Sequence, residues 1–151
     1  MKMGVDTNVL VYAHIASFDV HDRVRDHLET LLARETTILC VTPRVMLEFL
    51  HITTDPRRFD PPLDMQQAIA ITRGWTGRTN IEILAEDETC CLLALDLVSR
   101  HSLGRRRLAD ALIAATLIVH GVTDLLTCNP DDFLVFENLS PRDPSLPHPW
   151  M

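Results

Sequence analysis

Hydrophobic and polar positions along the chain fall into two alternating patterns. From Met3 to Tyr12 the residues are apolar at odd and even positions alike, apart from Asp6, Thr7 and Asn8. That pattern predicts a first strand covered on both faces, as in the centre of a parallel sheet. From Asp19 to Arg34, Val20, Val24, Leu28, Leu31 and Leu32 recur at the spacing of one helical face, with Asp19 as the start. "TILCVT" at 37–42 predicts a second strand and runs into Pro43, a favourable first residue for the helix "RVMLEFLHITTD". After the loop "DPRRFDPP", Asp64 and Gln67 stand at capping-box spacing before a helix carrying Met65, Ala68, Ile69 and Trp75.

"IEIL" at 81–84 predicts a short strand, and Asp87 opens a helix with Cys91, Ala94, Leu95 and Val98 on one face, ending near Gly104. The next helix is apolar nearly all round from Ala111 to Val119, the mark of a buried helix, and Gly121 ends it. "TDLLT" at 123–127 predicts another strand, and "CNPDDF" turns away from its end. "SPRDPSLPHPW" holds four of the nine prolines, so no regular element is expected there. Strands alternating with helices predict an α/β fold, a three-layer α/β/α sandwich with a central, mainly parallel sheet. The expected division is a domain over 1–138 and an extended Pro-rich tail over 139–151. In such sheets ligands bind outside the carboxyl ends of the strands.

Composition narrows the class. With 151 residues, 46% hydrophobic and 23% charged, the chain suits one globular domain, and no apolar run approaches the roughly 18 residues of a membrane span. The N-terminus lacks the pattern of a secretory signal, so a cytoplasmic protein with no membrane partner is expected. Cys40, Cys90, Cys91 and Cys128 lie in apolar stretches without C-x-x-C spacing and read as small hydrophobes. A formal charge of −7 argues against a non-specific nucleic-acid coat, because such affinity comes from Lys and Arg on phosphate.

Three carboxylates stand where apolar residues belong. Asp6 breaks the first strand, Glu48 lies on the stripe Val45, Glu48, Phe49, Ile52, and Asp110 on the stripe Asp110, Ile113, Ala114, Leu117. Singly, each has an ordinary reading: a turn cap, a partner for an Arg, a complement to a helix dipole. Together they fall near one end of the sheet, where converging negative charges repel and call for a compensating cation. Oxygen ligands without His or Cys select hard cations, Mg²⁺ or Mn²⁺. Arg105, Arg106 and Arg107 approach the Asp110 helix from its N-terminal side, where positive charge is unfavourable. They either offset the acidic cluster or grip phosphate as forked donors.

"VDTNVL" at 5–10, the Glu of "VMLEFL" at 45–50, "ADALIAA" at 109–115 and "TCNPDDF" at 127–133 resemble, in order, the four signature blocks of PIN-domain ribonucleases, and among them the VapC toxins of bacterial toxin–antitoxin pairs. The resemblance covers about residues 3–136. It implies Asp6, Glu48 and Asp110 as an acidic triad, with Asp6 and Asp110 as direct ligands of Mg²⁺ or Mn²⁺. The fourth acidic position is implied in the last block, where Asn129 stands at the place often held by Asp and Asp132 follows. Thr7, Asn8 and Thr127 are implied as residues that orient the carboxylates, a role metal sites commonly need.

The resemblance further implies hydrolysis of an RNA phosphodiester by a metal-activated water, leaving a 5′-phosphate and a 3′-hydroxyl. RNA contacts are expected from Arg44, Arg57, Arg58 and Arg105 to Arg107. A VapB-like antitoxin and a homodimer are the implied partners, with the tail, Trp75 and Trp150 as candidate interface residues. A non-catalytic PIN-like binding module is the alternative, favoured by the neutral Asn129. A HAD-like phosphatase is the weaker alternative, since it needs an Asp where this chain has Asn8.

Overall fold

A computed structural model describes residues 1–147. Five parallel strands form one sheet in the order β3-β2-β1-β4-β5: β1 (Lys2–Val5), β2 (Ile38–Val41), β3 (Ile81–Ile83), β4 (Asp124–Leu126) and β5 (Ser140–Arg142). Helices α1 (Thr7–His14), α2 (His21–Leu32), α3 (Pro43–Thr53) and α4 (Met65–Thr76) occupy the first half, and α5 (Glu88–Arg100) and α6 (Leu108–Val119) the second. α1 packs on α2 and α3, α3 on α4, and α5 on α6. The architecture is the expected three-layer α/β/α sandwich. Among the described residues no helix is long and apolar enough to cross a membrane.

The order places the site. From β1 the chain builds outward through β2 and β3, then returns to add β4 on the other side of β1. The reversal opens a crevice at the carboxyl ends of β1 and β4, the position where open α/β sheets bind ligands. The pleat of β1 sets its two faces. An added Cβ at Gly4 would lie 2.6 Å from both terminal methyls of Leu117 on α6, so α6 rests directly against the strand there. The core is continuous, with Met3, Val9, Leu31, Phe49, Leu117 and Leu125 at most 1% exposed.

The expected strand over Met3–Tyr12 is corrected. β1 ends at Val5 and α1 begins at Thr7, with Asp6 as N-cap: its side chain accepts from the Thr7 backbone N–H. α1 buries Val9, Leu10, Val11 and Ala13, so its apolar run carries no period-2 signature against a helix. α2 starts at His21, two residues after Asp19, with no side-chain cap on Val20. The capping box of Asp64 and Gln67 is formed.

Three further expectations change. On α5 the buried face carries Cys90 and Leu97, while Cys91 and Leu95 point to solvent. Trp75 is 7% exposed and packs edge-on against Phe49, so it offers no surface; Trp150 lies outside the described residues. The Pro-rich segment supplies β5. Pro141 is tolerated because β5 is an edge strand, with Ser140 N donating to Thr123 O and Thr127 N to Arg142 O. All four cysteines are free thiols.

Candidate active site

Asp6 sits at the hinge between β1 and α1, and its backbone N–H donates to Leu126 O at 2.9 Å. The carboxylate is 7% exposed. Three donors meet it: Thr7 N at 2.7 Å on Oδ1, and Asn8 Nδ2 at 2.9 Å and Thr127 Oγ1 at 2.8 Å on Oδ2. Each would favour the ionised form. Burial outweighs them, and the charges of Asp110 and Glu48 act in the same direction, so the Asp6 pKa is pushed up to about 6.

Thr127 fixes this corner. Its hydroxyl also accepts from Asn129 N at 3.1 Å and from Asn8 Nδ2 at 3.4 Å. Two neighbours are donors, so its single proton goes to Asp6. Asn8 is oriented in turn, its Oδ1 accepting from Cys128 N at 3.0 Å. The "DTN" and "TCN" segments thus form one hydrogen-bonded unit across β1 and β4.

Glu48 reaches the site from α3. Thr42 caps α3 and Pro43 fills its first turn, while Val45 and Phe49 are buried, leaving Glu48 half-buried at the edge of the apolar stripe. Its Oε2 accepts from Thr7 Oγ1 at 2.9 Å. Asp110 lies in the first turn of α6. Burial raises its pKa, the Arg107 guanidinium lowers it, and the charges of Asp132 and Glu48 raise it again, with a net upward direction.

Asp6, Glu48, Asp110, Thr7, Asn8, Asn129 and Asp132 line one cleft of about 560 Å³. Thr127 lies beneath it, hydrogen-bonded to Asp6. The three arginines separate. Arg105–Arg107 form a short 3₁₀ turn before α6. Arg106 lines the cleft. Arg107 turns inward: Nε donates to Asp110 Oδ2 at 2.8 Å, Nη1 lies 3.8 Å from Asp132 Oδ1, and the guanidinium also donates to the Asp132 carbonyl. Arg105, Arg44 and Arg57 are not cleft residues, and Arg57 pairs with Asp55. Arg58 is a cleft residue, as are Tyr12, Phe18 and Phe59, which the periodicity did not single out. An aromatic residue in the polar loop "DPRRFDPP" was the available signal.

The residues suit a hard cation. Four carboxylates, Asp6, Glu48, Asp110 and Asp132, line one cleft, and two of them carry pKa values raised partly by neighbouring carboxylates: Asp6 by Asp110 and Glu48, Asp110 by Asp132 and Glu48. Among the described residues no three His, Cys, Asp or Glu side chains converge as a finished cage. Mg²⁺ does not need one, because it takes one or two carboxylates and keeps several waters. Arg107 supplies positive charge at the same carboxylate meanwhile.

Comparison with known proteins gives the family. The chain is 27% identical over 140 residues to Ribonuclease VapC24 of Mycobacterium tuberculosis, covering 89% of this chain and 90% of that protein. Its fold matches VapBC-1 from nontypeable Haemophilus influenzae with a TM-score of 0.67 at 16% identity, covering 97% and 100% of the two chains. It also matches VapBC2 from Rickettsia felis, solved with a DNA fragment from the promoter, with a TM-score of 0.66 at 20% identity, covering 95% and 98%. The PIN domain family model matches residues 3–138, nearly the whole described chain, and the protein belongs to the PIN-domain family.

Proposed function

We propose that this protein is a divalent-metal-dependent endoribonuclease of the VapC type, the toxin of a toxin–antitoxin pair. The single observation that carries the reading is the meeting of Asp6, Glu48 and Asp110, from three separate elements, on one cleft at the β1/β4 crevice. The 27% identity to a ribonuclease over most of both chains supports the reaction class.

Asp6 and Asp110 would hold Mg²⁺ or Mn²⁺, which when bound supplies the charge that acidifies a water and stabilises the phosphoryl oxygens. Thr7, Asn8 and Thr127 keep the Asp6 oxygens in place. Thr7 also ties Glu48 to Asp6's helix, so Glu48 accepts the proton of the attacking water at Oε1. Asp132 is the better-supported fourth carboxylate: its charge is felt at Asp110, whereas Asn129 contributes a neutral amide. Arg106 lines the cleft as a phosphate donor. Arg107, held by Asp110 and Asp132, acts as the local counter-charge.

Both solved relatives named above are VapBC assemblies, which supports a VapB-like antitoxin as partner and suits a homodimer and a cytoplasmic setting. The test is incubation of the purified, partner-free protein with total RNA and Mg²⁺ or Mn²⁺, beside Asp6→Asn and an EDTA control. Cleavage confined to the metal-containing wild type is expected. Cleavage that persists in EDTA or in Asp6→Asn would sink the mechanism, and no cleavage of any RNA would favour a non-catalytic binding module.

A further inference from the structure

One ion pair at the edge of the sheet lies outside the cleft yet on the line of bonds that leads to Asp6. Arg142, on β5, sets Nε at 2.7 Å and Nη2 at 2.6 Å from Asp124 Oδ1 on β4, with the two side chains 33% and 19% exposed. Charge-assisted bonds of this kind are stronger than neutral ones. Val5, Leu126 and Arg142 stand in one row across β1, β4 and β5. Leu126 is followed by Thr127, which is fully buried; its N–H donates to Arg142 O at 3.0 Å and its hydroxyl to Asp6 Oδ2 at 2.8 Å. Thr127 is thus held from β5 by its backbone and from the β1 side by its side chain.

We propose that Arg142 is a positioning residue of the site: its ion pair with Asp124 holds the end of β5 on β4, so that the Arg142 carbonyl keeps the Thr127 N–H and the Thr127 hydroxyl keeps its aim at Asp6. The inference rests on the reading of Asp6 as a metal ligand and adds a residue to that site. β5 has three residues and, as an edge strand, a neighbour on one side only. So short an edge has few contacts to keep it from opening locally. The Arg142 side chain reaches back along β4 to Asp124 and fastens the pair diagonally. Guanidinium and carbonyl belong to one residue, so holding the first fixes the second. If β5 opened, the buried Thr127 N–H would lose its acceptor, a costly state that the segment relieves by turning. The hydroxyl would turn with it, away from Asp6, and Asn129 N and Asn8 Nδ2, which both donate to that hydroxyl, would be displaced too. The matched residues 3–138 stop short of β5, so the family match assigns Arg142 no role.

The test is a double-mutant cycle on the full chain, with Mn²⁺ affinity read by calorimetry and RNA cleavage by the wild type followed in parallel. Arg142→Ala, and Asp124→Asn from the other side of the pair, should each weaken Mn²⁺ binding by about 3- to 10-fold, at or below the low end for loss of a residue that orients a ligand. Arg142→Lys, which keeps a cation for Asp124, should retain most of the affinity. Because Arg142 acts through Thr127, Arg142→Ala combined with Thr127→Val should lose no more than Thr127→Val alone, whereas independent lesions would multiply. In metal-free protein, hydrogen exchange of Arg142→Ala should quicken at the Thr127 amide and not at Leu39 on β2; a general loss of stability would quicken both. Losses that multiply, unchanged Mn²⁺ affinity in Arg142→Ala, or equal quickening at Thr127 and Leu39 overturns the positioning role. If the wild type cleaves RNA with Mn²⁺ in that case, the nuclease reading stands without it. If the cycle behaves as expected but no RNA is cleaved, the nuclease reading fails and the positioning role remains; a wild type that binds no Mn²⁺ overturns both.

Discussion

The hydroxyl of Thr127 donates to Asp6 Oδ2 at 2.8 Å and so joins the carboxyl ends of two neighbouring parallel strands. The same oxygen accepts from Asn129 N and Asn8 Nδ2. Thr127→Val preserves shape and deletes all three bonds. Asp6 then keeps its burial with one donor fewer, so its pKa rises above about 6. Losing an orienting partner of this kind typically costs about 10- to 100-fold in metal affinity or activity. RNA cleavage at saturating and limiting Mn²⁺ checks it: the loss should be greater at limiting metal.

The raised pKa of Asp6 also sets a pH dependence in metal-free protein. Between the unfolded value of 3.8 and a folded value of about 6, the native state binds more protons than the unfolded state. Stability attributable to Asp6 therefore falls as pH rises through this window, by on the order of 2–3 kcal/mol in all. The lowered pKa values of His14 and His27 act oppositely, costing stability as pH falls. Denaturant titrations in EDTA at several pH values, wild type against Asp6→Asn, isolate the Asp6 part: the wild type should lose stability relative to the variant as pH rises from 4 to 7. Mn²⁺ at pH 7.5 should restore much of it. An unchanged difference across pH would show that Asp6 does not titrate in this range.

On the proposed reading, Arg107 and a metal ion would compete for Asp110. The Arg107 Nε to Asp110 Oδ2 bond is 2.8 Å, with the two side chains 27% and 22% exposed. Arg107→Ala removes the counter-charge and the tie to the Asp132 carbonyl. The metal-free variant should be less stable by about 1–2 kcal/mol yet bind Mn²⁺ several-fold more tightly by calorimetry. Equal or weaker metal binding would mean that Arg107 assists the cation rather than standing in for it.

Much of the site is legible in sequence because polar residues interrupt strongly apolar patterns. Glu48 beside Val45 and Phe49, and Asp110 ahead of Ile113 and Ala114, stand out on stripes that must pack inward. The β1–α1 boundary is harder. α1 is buried on so many sides that its hydrophobic run matches a buried strand, and only the capping chemistry of Asp6 and Thr7 separates the two. β5 is hidden because proline argues against a strand, and only its edge position makes Pro141 acceptable. The inward turn of Arg107 depends on Asp132 folding back against the start of α6, and the exposure of Phe18 and Phe59 on the cleft depends on where loops 15–20 and 54–64 meet it, which no local pattern encodes.

The contact between β1 and α6 gives a last prediction, linking backbone packing to the site. Gly4 has Leu117 Cδ1 and Cδ2 at 2.6 Å from the position of an added Cβ, and Leu117 is 1% exposed. The Leu117 tip is flexible in itself, but its neighbours on α6, Ile113 and Ala114, are buried too, so little space exists for it to turn. Gly4→Ala should therefore push α6 away from β1 rather than be absorbed by one rotamer, costing about 1–3 kcal/mol by chemical denaturation. α6 carries Asp110 and Asp6 directly follows the last residue of β1, so the same displacement widens the gap between the two carboxylates. Metal affinity should fall along with stability. Pairing Gly4→Ala with Leu117→Val, which frees volume at the contact, should recover both; recovery of stability without metal binding would place the damage elsewhere than in the spacing of Asp6 and Asp110.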